Sequence, residues 1–169
     1  YTVTVTDANT CSKTGVTTIA NTGGATATAS VTTNVKCNGG NDGSATVSAA
    51  GGTMPYTYSW SNSASGVTGI TGVTAGTYIV SVTDGSGCTS VSTVTITEPP
   101  AIASPTITPT NAACGSSNGS AVATASGGTG TLTYTWSSTA SGQTANGLSA
   151  NTYTVTVTDA NTCTKTGVT

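Results

Sequence analysis

Thiols and carboxylates carry most of the reactive chemistry in this sequence. The cysteines stand at 11, 37, 88, 114 and 163, and the acids are Asp7, Asp42, Asp84, Glu98 and Asp159. Thiols at such positions pair as disulfides or ligate soft metals, while carboxylates hold calcium or move protons. The rest of the chain narrows these options. It has no His, and without His the acid–base catalysis suited to neutral pH, His-ligated metals and Ser-His or Cys-His nucleophiles are all missing. No Cys-x-x-Cys spacing prepares a zinc site. We therefore expect no enzyme and no cofactor. Three Lys, no Arg and a net charge of -2 cannot supply the cationic stripe that nucleic acid requires. No apolar stretch reaches the roughly 18 to 20 residues that span a bilayer, so neither a nucleic-acid partner nor membrane insertion is expected.

The elements that position these residues are repeated. Residues 1–17, YTVTVTDANTCSKTGVT, return as 153–169 with Thr164 where Ser12 stands, at an offset of 152. A divergent copy, YIVSVTDGSGCTSVSTVTI, begins at Tyr78, dividing 152 into steps of 77 and 75. Cys37 and Cys114 are 77 apart; Gly51-Gly52-Thr53 and Gly127-Gly128-Thr129, like Trp60 and Trp136, are 76 apart. Near-identity at the double step beside divergence at the single step indicates growth by duplicating pairs. The expected division is residues 1–21 as the end of one repeat, 22–98 as a whole repeat, and 99–169 as a second repeat lacking its last strand. Pro99 and Pro100 mark that second boundary. A period of about 76 residues suits beads on a string rather than a solenoid coil.

Within a repeat the period is two. Tyr153, Val155 and Val157 alternate with Thr154, Thr156 and Thr158, and Tyr78, Val80 and Val82 repeat the pattern, which is that of a half-buried antiparallel strand. Tyr56, Tyr58 and Trp60 share a strand face, as do Leu132, Tyr134 and Trp136. Residues 44–50, 67–73 and 89–97 are further strand candidates, bounded by Gly, Asn, Asp and Ser turn clusters. No stretch has helical periodicity. The expected fold is all-β: tandem Ig-like antiparallel β-sandwiches, with Tyr58, Trp60, Tyr78, Tyr134, Trp136 and Tyr153 in the cores.

The runs CNGGNDGSATVSAAGGTMPYTYSW (37–60) and AGTYIVSVTDGSGCTSVSTVTITEP (75–99) resemble the SprB-type repeat of surface proteins in gliding Bacteroidetes and, more distantly, PKD domains. The second copy keeps Cys114, Asn118-Gly119-Ser120, Gly127-Gly128-Thr129, Tyr134-Thr135-Trp136 and the strand 153–159. It departs at Asn151, where Gly76 stands in the first, and at Asn161-Thr162 before its Cys. The resemblance implies a tandem-repeat adhesin, extracellular or on the cell surface, secreted across the outer membrane, whose repeats provide length.

The cysteines alternate between two places, before the turn that opens the second strand (Cys37, Cys114) and after the Val-Thr-Asp strand (Cys11, Cys88, Cys163). Recurrent pairs in a secreted-looking repeat indicate disulfides. Two pairings are open. Within a repeat, Cys37 with Cys88 and Cys114 with Cys163 would close loops of about 50 residues, each contributing roughly 3 to 4 kcal/mol. In a standard sandwich, however, those turns lie at opposite ends, separated by roughly 26 Å for eight strand residues, whereas a disulfide needs Cα atoms within about 7 Å. That objection favours the alternative, Cys37 with Cys163, between consecutive repeats; free thiols are the third state. Cys11 would pair with a residue outside residues 1–169.

Asp42, Asp84 and Asp159 are calcium candidates, but each repeat offers about two carboxylates where a tight site takes six to eight oxygens; the competing reading is an Asp that bonds its own turn. The chain has 42 Thr and 21 Ser, so its strand faces are β-favouring without charge. Only 5% of residues are charged, which leaves little repulsion between molecules, and lateral or end-to-end self-association is expected. Two functions follow. The first is a structural tandem-repeat segment of a long adhesin or filament, whose partners are neighbouring repeats and identical chains. The second is a carbohydrate-binding Ig-like module, calcium-assisted, whose partner is surface polysaccharide. Buried Trp60 and Trp136 would favour the first; exposed indoles would favour the second.

Overall fold

The computed structural model of the chain describes residues 1–18 and 23–169, so the expected boundary at residues 21 and 22 lies outside the described residues. Fourteen strands and no helix form among them. β1 (Thr2–Thr6) and β2 (Ser12–Val16) make an antiparallel hairpin. There follow β3 (Thr26–Thr33), β4 (Gly43–Ala50), β5 (Thr57–Trp60), β6 (Gly69–Val73), β7 (Gly76–Thr83) and β8 (Thr89–Ile96). They form two antiparallel three-stranded sheets, β3-β4-β6 and β5-β7-β8. The same design recurs in β9 (Thr106–Thr110), β10 (Gly119–Thr124), β11 (Thr133–Trp136), β12 (Thr144–Leu148), β13 (Thr154–Thr158) and β14 (Thr164–Val168), as sheets β9-β10-β12 and β11-β13-β14. The chain is all-β, with two tandem Ig-like sandwiches. One expectation is corrected. The second repeat has its last strand: β14 pairs with β13 from Thr158↔Thr164 to Thr154↔Val168.

The period-two pattern sorts side chains as the pleat requires. Val80 and Val82 of β7 are completely buried, and the register sets them opposite Trp60 and Tyr58 of β5. Val155 and Val157 meet Trp136 and Tyr134 in the same way. The facing sheets contribute Ala45, Val47, Ile70 and Val73 in the first core, and Ala121, Ala123, Ala145 and Leu148 in the second. Of the expected core aromatics, Trp60, Trp136 and Tyr134 are buried, whereas Tyr58, Tyr78 and Tyr153 are half-buried and pack against the core from its rim. A buried indole needs an acceptor for its N–H. Trp60 Nε1 donates to the Val67 carbonyl and Trp136 Nε1 to the Gly142 carbonyl, each at 3.1 Å.

Two devices hold the first sandwich shut, and the second sandwich shares the first of them. The Tyr78 hydroxyl donates to the Thr74 carbonyl four residues upstream at 2.9 Å, and Tyr153 does the same to Ser149 at 3.1 Å. This is the tyrosine corner of Ig-like sandwiches. Along the open side, edge strand β3 lies beside edge strand β8, and the amides of Ala27 and Ala29 donate to the hydroxyls of Ser90 and Ser92 at 3.1 and 3.0 Å. Those hydroxyls occupy donors that an open edge would offer to other chains. Lys165 and Gly167 stand at the corresponding places in β14, where the absent side chain of Gly167 leaves room for Pro105 and Ile107.

Removing the corner bond tests this closure. Tyr78→Phe is expected to lower the unfolding free energy by about 1 kcal/mol in urea, with the far-UV circular dichroism of the native state unchanged. An unaltered unfolding midpoint would show that the hydroxyl contributes nothing to closure.

Candidate functional site

The turn between β7 and β8 is built on Asp84. Its Oδ1 accepts the amides of Ser86 and Cys88, both at 2.9 Å, and its Oδ2 accepts the amide of Thr53 at 3.2 Å. Asp159 repeats the arrangement, with Oδ1 accepting from Asn161 and Cys163 and Oδ2 from Thr129, all at 2.9 Å. Asp7 accepts from Asn9 and Cys11 in the β1–β2 hairpin. Each carboxylate thus fixes the backbone of a cysteine four residues on. In the two complete sandwiches it also ties that turn to the Gly-Gly-Thr turn. The approach demands glycine: Gly52 has φ of +62°, and a Cβ there would collide with Asp84 Oδ2 and the Ala25 amide. Gly128, at φ of +68°, is crowded by Ile102 and Asp159 in the same way.

Both aspartates are only 5% exposed. Burial disfavours their charged forms, yet the carboxyls titrate below the ordinary range. For Asp84 the amides of Cys88, Thr53, Ser86 and Ala25 together outweigh burial. For Asp159 the amides of Thr129, Cys163 and Asn161 do so, helped by the charge of Lys36. This use of the oxygens competes with calcium. Asp42 serves a separate turn, where its Oδ1 accepts the Lys36 amide at 3.0 Å. No cluster of three or more Cys, Asp or Glu side chains able to hold a metal forms among the described residues.

The other half of the site is the turn between β3 and β4. Its end of the sandwich follows from how β3 runs along β8. Ala27 bonds Ser90, Ala29 bonds Ser92, and the Val35 amide donates to the Thr97 carbonyl at 2.9 Å, so the two edges run in the same direction. Cys37 therefore lies beyond the finish of β8 and Cys88 just before its start. The 8 residues of β8 separate them, roughly 26 Å at strand rise. Glu98 anchors the Cys37 turn at this exit end, accepting from Asn38 Nδ2 at 2.9 Å and from the Gly39 amide at 2.7 Å, directly before Pro99-Pro100. At the entry of the second sandwich, the Gly128 amide donates to the Pro100 carbonyl, so the turn clamped by Asp159 also sits beside the linker.

Cys37 and Cys163 meet there as a disulfide, with Cα atoms 5.7 Å apart. The within-repeat pairs, Cys37 with Cys88 and Cys114 with Cys163, do not form, because the length of an intervening strand keeps them apart; the pairing across repeats takes their place. Cys11, Cys88 and Cys114 are exposed free thiols. Around the bridge, Asn161 Nδ2 donates to the Lys36 carbonyl at 3.0 Å and also contacts Thr129 Oγ1 at 3.3 Å. Sequence reasoning gave Asn161, Lys36 and Glu98 no part in the junction. The available signal was the recurrence of Asp-Ala-Asn-Thr-Cys at 7–11 and 159–163, which marks a turn kept for docking as well as for folding.

The junction defines a class: a tandem-repeat protein whose Ig-like sandwiches are joined by a peptide linker and a disulfide. Within that class the repeats are of SprB type, since the family model described as SprB repeat matches residues 29–65 and again 106–141. No curated protein matches the chain in sequence. Among solved structures, it is similar to the C-terminal 282-residue fragment of intimin, crystallised with the intimin-binding domain of its translocated receptor, at 21% identity and a TM-score of 0.39 over 85% of this chain. It is also similar to domains 1–6 of the surface layer protein SbsC, at 20% identity and a TM-score of 0.35 over 88%. The chain spans 62% of the first of those chains and 27% of the second.

Two outcomes are expected. The bridge closes a sequence separation of 126 residues, so Cys163→Ser should lower the unfolding free energy by up to about 5 kcal/mol in the chain-entropy model, measured by denaturant titration without reductant. Separately, a carboxyl whose folded pKa lies below its unfolded value stabilises the fold above the unfolded pKa, and that contribution disappears as pH falls through the folded one. Stability should therefore decline below about pH 4. The double variant Asp84→Asn, Asp159→Asn should be less stable at neutral pH and show a flatter acid limb in thermal melts between pH 5 and pH 2.

Proposed function

We propose that the chain is a structural segment of a long extracellular or cell-surface adhesin or filament, secreted across the outer membrane, in which stapled repeats give reach and stiffness. The observation that carries this reading is the Cys37–Cys163 bridge, which spends the chemistry of two residues on joining one sandwich to the next. A linker alone leaves neighbouring domains free to reorient. A second covalent tie beside the linker, with Asn161 bonded to the Lys36 carbonyl, restricts that motion. Residues 22–98 and 99–169 are the building units of this reading. Its partners are neighbouring repeats and, since only 5% of all residues are charged, identical chains. The role is mechanical rather than catalytic.

The carbohydrate-binding alternative asks for an aromatic face open to a sugar ring. Trp60 and Trp136 are each 2% exposed, with their N–H groups already bonded, which supports the structural reading over a stacking platform. The aspartates that would assist through calcium have oxygens committed to backbone amides.

Imaging of the native assembly tests the proposal. A smooth rod with an axial rise close to one or two repeats is expected, along with Trp fluorescence that polysaccharide does not quench. Flexible, isolated beads, or saturable quenching by a sugar polymer, would count against it.

A further inference from the structure

The three free thiols occupy the same two structural positions as the bonded pair. Cys88 stands in the frame of Cys163. Its amide is held by Asp84 Oδ1 at 2.9 Å and its carbonyl accepts the Asp84 amide at 2.9 Å, where the corresponding distances around Asp159 are 2.9 and 3.0 Å. Cys114 stands in the frame of Cys37. Each directly follows a residue whose amide is caught by the side chain preceding the strand-opening glycine: Lys36 by Asp42 at 3.0 Å and Ala113 by Asn118 at 2.8 Å. The loop after Cys114 is one residue shorter, yet the clamp and the glycine are kept. Cys88 and Cys114 are both exposed, at ends of sandwiches whose opposite ends meet in the observed bridge.

We infer that Cys88 and Cys114 are the open halves of a second inter-repeat junction. Cys114 of one repeat bonds the cysteine after β7 in the repeat that follows it, so that every junction of the array carries a disulfide. This rests on the reading of the chain as a segment of a repeat array. The direction follows from the observed bridge, in which the earlier repeat supplies its β3–β4 turn and the later one its β7–β8 type of turn. Junctions would alternate in chemistry. The observed kind has Asn161 reaching the Lys36 carbonyl. The second kind would place Ser86 against Ala113, with no side chain long enough to repeat that contact, and would depend more heavily on its disulfide. Cys11, in a turn with the sequence of the Cys163 turn, is a further half of the first kind. Bond formation joins two thiols and releases two protons and two electrons, which a low-molecular-weight disulfide accepts: one oxidised glutathione becomes two reduced molecules through a mixed disulfide.

The test extends the chain after Thr169 by a further copy of residues 18–98, the register in which Thr169 stands for Thr17. After refolding with oxidised glutathione, mass-spectrometric mapping without reduction should find Cys37 with Cys163, and Cys114 with the appended copy of Cys88. In the original chain Cys114 should remain alkylatable. Cys114→Ser in the extended chain should leave the appended Cys88 as a free thiol and the first bridge unchanged. A free Cys114 beside an intact Cys37–Cys163 bridge, or Cys114 bonded to the original Cys88, overturns the inference. Either outcome leaves the structural-segment reading standing, because imaging tests that separately. The Cys37–Cys163 peptide in the same digest shows that the array has folded.

Discussion

The length of one strand governs how this protein uses its cysteines. β8 runs beside β3 in the same direction, so its 8 residues hold Cys37 at one end of the sandwich and Cys88 at the other. A disulfide tolerates only about 7 Å between Cα atoms, so a repeat cannot close on itself and its thiols face outward along the chain. Stapling therefore operates between domains. The closed sandwich beneath it is maintained by other means: buried Val-Trp pairs, the tyrosine corner and the serine hydroxyls along the β3 edge.

That arrangement links the scarce charges to the same purpose. The carboxylates of Asp84 and Asp159 are nearly buried and offset their desolvation with bonds from backbone amides, and those bonds hold the cysteine-bearing turn against the Gly-Gly-Thr turn. Where Asp159 does this, the charge of Lys36 comes from the neighbouring repeat, so one electrostatic centre serves both the fold of a repeat and its attachment to the previous one. Gly52 and Gly128 are as much part of this centre as the acids, because any side chain there would displace the carboxylate.

Much of this was legible in the residues. Alternation of Val with Thr located β7 and β13, the Trp spacing located the paired strands β5 and β11, and the step of 76 residues between landmarks separated the sandwiches. The turn bonds of Asp84 and Asp159 were legible because Asp followed by a short polar run is a local signal. Two features were less legible. The last strand of the second repeat was expected to be missing, yet 5 residues pair well enough against β13 to form β14. Asn161 and Lys36 were passed over because their contact joins positions 125 residues apart, and no local pattern encodes such a meeting.

The hairpin and the last two strands show where sequence stops deciding. β1 and β13 are both Thr-Val-Thr-Val-Thr, and each pairs with the strand after it in the same register. Val155 and Val157 are nevertheless fully buried, while Val3 and Val5 are 63% and 65% exposed. The sequence by itself determined strand, turn and the Asp clamp on cysteine, because these depend on backbone bonds between near neighbours. Burial and disulfide partner were decided only by the tertiary structure: an opposing sheet must cover the valines, and the direction in which β3 runs past β8 determines which thiols lie within reach of one another.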